Sequence, residues 1–274
     1  MNCKYLRNKL LARHSSALLV LAIALLTTLF TWQAALQHLA VKDHARFGLY
    51  VERTKGEIVE RMNSCEEVLH GVQSLFTASQ HVERGEFTAY ARHAIGKRSR
   101  AGLVGLAFVA AVPHSEREAF LAATRGDGCP DFEIRPKGDR QAYYPITYLE
   151  PSQNTDISMG LDIGSLREWR EAIERAEPAK VGSLVSDSQM AERMKWKHPH
   201  VFMNMPVYGN DMAQESASQH QEDASGWVVA EMHLDELLSD IGSENEGQYD
   251  VEVFDASEIS AESMIHDHDG VPRA

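Results

Sequence analysis

Apolar residues fall along this chain in three successive patterns. The first is unbroken: "SSALLVLAIALLTTLFTWQAAL" follows Lys4, Arg7, Lys9 and Arg13, and no Asp, Glu, Lys or Arg stands between Arg13 and Lys42. A run of this length crosses a bilayer as a helix, which needs about 20 residues. The basic flank of residues 1–14 then stays inside, the 15–40 segment is a signal anchor, and everything beyond lies outside. "FTWQAALQHLA" offers no clean cleavage site, which favours an anchor over a removed signal peptide.

The second pattern is helical. Ile58, Met62, Cys65, Leu69, Val72 and Phe76 recur at steps of four and three, the stripe of a long stalk helix over 41–80. Lys55 interrupts the stripe one turn earlier, so the seam serves either a dimer or the chain's own domain. Beyond Gly85, Phe87, Tyr90, Ala91 and Ala94 share one face of a second helix.

The third pattern is short and extended, with brief helices interspersed. "GLVGLAFVAAV" reads as a buried strand ending at Pro113, and "DFEI", "AYYPITYL", "KVGSLV", "HVFMNMPVY", "GWVVAEMHL" and "YDVEVFD" as further strands. Ser115 with Glu118, and Ser165 with Glu168, have capping-box spacing and predict short helices behind them, the second burying Leu166, Trp169, Ile173 and Ala176. "GNDMAQESASQHQEDAS" reads as a surface loop, and residues 256–274 as a polar tail. This order predicts an α+β fold with antiparallel sheets.

Composition changes the picture in two respects. The formal net charge is -13, and the basic N-terminus makes the remainder more acidic still, which argues against nucleic acid as a partner. Three cysteines make no disulfide framework; Cys65 and Cys129 alone would share the outer compartment, where they either pair or stay free. No nucleophile elbow, His-Glu-x-x-His or phosphate loop occurs, so the sequence points away from an enzyme and implies no cofactor. His198 with His200, and His266 with His268, lack a third ligand at motif spacing, so no metal site is predicted.

"SLFTASQHVERGEFTAYA", "AFVAAVPHSEREAFLA", "YYPITYLEPSQNTDISMGLDIGS", "NMPVYG" and "GWVVAEM" together, in this order, resemble the CHASE domain, the extracytoplasmic sensory module of bacterial sensor kinases and cyclases and of plant cytokinin receptors. The resemblance implies a sensory domain over 81–255 with two PAS-like subdomains on the stalk, a small-molecule ligand in the membrane-distal one, and a homodimer joined through the stalk helix in a bacterial inner membrane. It also implies that Asp156, four residues before Gly160, occupies the acidic position that meets the purine in plant members; by local chemistry alone Asp156 is an Asx-turn residue. Tyr144, Met205 and Trp227 are the other candidate wall residues, on strands the resemblance places around the cavity. Met205 stands where plant members carry an aromatic residue, which argues against cytokinin itself. A periplasmic protein-interaction module and a metal-dependent hydrolase are the alternatives in other functional classes. Family members return through a second membrane helix to a kinase or cyclase, and no second apolar span is present in this sequence.

Overall fold

A computed structural model describes residues 3–98, 101–151, 157–179, 182–186, 200–208, 224–239, 241, 251–254 and 264–267, with side chains except at 3–20, 22, 35–36, 38–41, 43–44, 176–179, 265 and 267. Two compact units result, Met1–Lys55 and Gly56–Ala274.

Residues of the first unit lie in α1 (Cys3–Ala78). Leu21, Leu25, Leu26, Leu29, Phe30 and Trp32 are all more than half exposed. Thr27, Thr28 and Thr31 turn their hydroxyls back onto carbonyls three and four residues earlier. Among the described residues no helix is long and apolar enough to cross a membrane, and the start of the expected anchor, Ser15–Val20, lies outside the described side chains.

The second unit is built on a five-stranded antiparallel sheet of β1 (Leu103–Ala110), β4 (Ile146–Glu150), β5 (Ser183–Val185), β6 (His200–Val207) and β7 (Gly226–His233), in the order β4-β1-β7-β6-β5. The expected α+β class with antiparallel pairing is therefore observed. A ribbon of β2 (Val112–Pro113) with β3 (Ala142–Tyr143) and another of β8 (Glu252–Phe254) with β9 (Met264–Asp267) complete the described strands. β9 falls within the segment read as a polar tail, because its pairing with β8 is a long-range choice that local polarity does not reveal.

Strand alternation divides two cores. Leu106, Phe108, Met203, Met205, Val228 and Ala230 face the C-terminal part of α1 and α2 (Arg84–Arg98). There Cys65, Leu69 and Val72 are wholly buried, and Phe76 stacks on Phe108 at 3.9 Å between ring centroids. The helical stripe from Ile58 to Phe76 is thus packed on the domain's own sheet. On the other face, Val109, Phe202, Trp227 and Val229 meet α4 (Arg167–Ala179) through Trp169, Ala172 and Ile173. A third cluster of Val112, Leu121, Phe132, Ile134 and Tyr143 joins α3 (Arg117–Gly126) to the β2–β3 ribbon.

The capping box expected at Ser115 does not form. A 3-10 turn at His114–Glu116 precedes α3, whose first residue follows Glu116 with no side-chain cap. Ser165 ends a 3-10 turn, Ile163–Ser165, and its hydroxyl donates to the carbonyl of Asp162. "DFEI" joins no named strand; its Phe132 and Ile134 are buried in one cluster with Leu121 of α3, and the next residue, Arg135, forms a bridge to Leu161.

Cys65 and Cys129 are both free, Cys65 in the core and Cys129 half-buried. Burial, partly offset by Arg98, pushes the Cys65 thiol up to about 11. With Cys3 replaced by serine, a maleimide at pH 8 is expected to modify one thiol in the folded chain, Cys129, and two after denaturation; prompt native labelling of Cys65 would contradict its place in the core.

Candidate functional site

Tyr144 and Leu161, held side by side by the backbone around them, contribute to one wall of a cavity. Tyr143 is fully buried and its hydroxyl donates to the carbonyl of Gly138 while accepting the backbone N–H of Arg140, which fixes the polar connection over residues 136–141. The chain then breaks between β3 and β4 at Tyr144 and Pro145, so the single expected strand is two. Residues Gly160–Ile163 run back beside this break: Gly160 N–H donates to Ile146 O, Ile146 N–H to Leu161 O and Ile163 N–H to Tyr144 O, at 2.8–3.0 Å. Arg135 closes the other side, its N–H on Gly160 O and its carbonyl accepting from Asp162.

Asp162 ties these strands to the helix behind them. Its side chain is fully buried; one carboxylate oxygen accepts from Tyr144 N–H at 2.8 Å and Gly164 N–H at 3.1 Å, and the other faces the Arg140 guanidinium at 3.2 Å. Burial raises its carboxyl above the ordinary value of 3.8, against the opposing pull of the two N–H bonds, Arg140 and Arg170. This is the structural role expected of a carboxylate near a helix start. Gly164 is required for the same wall, since a side chain there would overlap the ring of Tyr144.

The result is a cavity of about 760 Å³, within the range typical of small-molecule sites. Tyr144, Leu161, Leu166 and Ile173 supply its apolar surface, and Arg140, Gln141, Ser165, Arg170 and Glu174 its polar groups. Arg140 is already engaged with Asp162 and with the Pro136 carbonyl, and Arg170 donates to the Gly164 carbonyl, so both cations are held in position by the wall itself. A second cavity of about 480 Å³ lies between Ile58 and Met62 of α1, the first turns of α4 and α5 (Leu234–Leu238), and is lined mainly by aliphatic groups.

Of the four candidate residues, Tyr144 lines the larger cavity. Trp227 does not; it is buried behind Tyr144, ring centroids 5.3 Å apart, and its indole N–H has no partner among the described residues. Met205 belongs to the other face: with Met203 and Val207 it points toward α1 and α2, away from this cavity. Asp156 lies outside the described residues. Arg140 and Arg170 were missed because a turn arginine and a helix arginine carry no local signal of convergence. Among the described residues, the side chains spaced to share a metal ion are His200, Glu231 and His233, at the opposite end of β6 and β7 from Trp227; the sequence reading considered His200 but not its cross-strand partners.

Comparison with known proteins gives no match among curated sequences. It does give a match to the CHASE domain over residues 80–266, which takes in α2, the whole five-stranded sheet and both cavity walls. The chain belongs to the CHASE family, the extracellular sensory domain of signalling receptors.

Proposed function

We propose that this chain is the sensory portion of a bacterial membrane receptor, that its cavity beside Tyr144 binds a small molecule, and that binding biases α1. The observation that carries the reading is the cavity: its size suits a metabolite, its walls are largely apolar, and its two arginines are held in place, Arg140 by Asp162 and Arg170 by the Gly164 carbonyl. The reading assigns binding rather than catalysis. The part of the domain that bears the cavity, around β3, the return over residues 161–166 and α4, stands for the PAS-like subdomain that holds the ligand, distal to the membrane.

The anchor is part of the same proposal. Leu21–Trp32 presents large apolar side chains outward with threonine hydroxyls satisfied within the helix, an arrangement suited to lipid. A homodimer is proposed as well, and because Cys65, Leu69 and Val72 are consumed by the sheet, its contacts would come from other residues of α1. For the ligand to move α1, it must bind two arrangements of the domain with different affinity.

The test is thermal unfolding of the full chain in detergent against a library of metabolites, with Ala142→Trp, which fills the cavity from β3. A compound at a hundredfold its dissociation constant is expected to add about 2.7 kcal/mol to the wild type and nothing to a folded Ala142→Trp. Shifts equal in both proteins would remove the cavity from the proposal, and no shift with any compound would favour a protein-binding module.

A further inference from the structure

At the far end of the same sheet face, three side chains that can bind metal converge. His200 is the first residue of β6 and pairs directly with His233, the last of β7; Glu231 precedes His233 by two and so lies on the same face. One ligand atom from each lies within 4.8 Å of the others. Nδ1 of His200 is 3.1 Å from the carboxylate of Glu231, and two atoms bound to one tetrahedral zinc ion at its usual bond lengths stand about 3.3 Å apart. That edge of a coordination polyhedron therefore already exists.

Burial sharpens the chemistry. Glu231 is 1% exposed, and among the described residues neither of its oxygens receives a hydrogen bond, leaving His200 as the group that faces it. A carboxylate removed from water without donors is costly unless a cation meets it. Gly105, opposite Glu231 on β1, gives it room: a Cβ there would come within 2.8 Å of the carboxylate. The ring of Phe202 stacks on His200 at 5.8 Å and walls the group from the core. His233 is 20% exposed, which opens a route for entry, and Glu236 stands 3.7 Å from its Nδ1, where an outer acceptor would orient the ring.

We propose that His200, Glu231 and His233 form a binding site for a divalent transition-metal ion of the zinc type, clamping the start of β6 to the end of β7. Two imidazoles and one carboxylate form a donor set that suits this class of ion over calcium or magnesium. The site is separate from the cavity beside Tyr144 and does not depend on the ligand proposed there.

Full-length, tag-free chain stripped with a chelator and titrated with cobalt(II) tests it. One equivalent is expected to bind, with the visible absorption of a tetrahedral or five-coordinate centre, and zinc is expected to displace it and raise the unfolding temperature. His233→Gln and Glu231→Gln are each expected to weaken cobalt binding at least about tenfold, while His81→Gln, at an exposed histidine, leaves it unchanged. His233 lies at a strand end, so circular dichroism of that variant is expected to match the wild type, and it decides the matter if Glu231→Gln does not fold. Absence of stoichiometric cobalt, or undiminished binding in a folded His233→Gln, would overturn the site and leave the three residues as an internal ion pair with a neighbour.

Discussion

Asp162→Ala is expected to destabilise the domain by about 3–5 kcal/mol, the cost of breaking a buried charge pair from one side. The variant leaves the N–H groups of Tyr144 and Gly164 and the Arg140 guanidinium without the carboxylate that all three address. Denaturant unfolding followed by tryptophan fluorescence measures it, Trp227 and Trp169 lying in the adjoining core. A loss below about 1 kcal/mol would mean that the wall is held by its backbone ladder alone.

The pH dependence has a definite sign. Burial raises the Asp162 carboxyl in the folded chain, so the folded state holds this proton more firmly than the unfolded one. Its contribution is therefore greatest at low pH and declines as pH rises from 3.8 through the folded value, opposite to the usual salt-bridged aspartate. Asp162→Asn cannot titrate there, so the advantage of wild type over this variant is expected to widen on acidification through that window. An advantage that shrinks instead would show that the N–H bonds and arginines outweigh burial.

Gly160→Ala is the other large effect. Gly160 has a φ of +78°, where an L side chain costs about 1–2 kcal/mol. An added Cβ would also overlap the carbonyl oxygen of Glu133, a backbone atom that cannot rotate aside. Displacing it adds about 1–3 kcal/mol, so a total of about 2–5 kcal/mol is expected, together with loss of any ligand response, because Leu161 and the Arg135 bridge move with it. Gly85→Ala supplies the control: its Cβ meets nothing within 4 Å, and equal or greater stability is expected from a residue in the first turn of α2. Equal losses in both variants would discredit the geometric explanation.

Residue order by itself determined the element types wherever one period was strong. The stripe from Ile58 to Phe76, the face of α2 and the apolar runs of β1, β6 and β7 were legible because helical spacing and β-branched or aromatic runs arise from the backbone periods. The CHASE motifs were legible for the same reason, being local strings, and Tyr144 came with them. Local spacing misled at Ser115, where a 3-10 turn supplies the helix start in place of a serine cap.

The side to which a central strand points a given residue was decided only by the tertiary structure. Every position of β6 is buried, so no polar alternation marks which face is which. Met205 and Phe202 look alike in sequence, yet one packs on α1 and the other on α4. Convergence was likewise a matter of folding. Arg140, Asp162 and Arg170 meet because the strand return beside Pro145 brings a turn and a helix start together. His200 meets Glu231 and His233 through strand register. Register and face are set by the summed burial of many residues, which no short stretch of sequence contains.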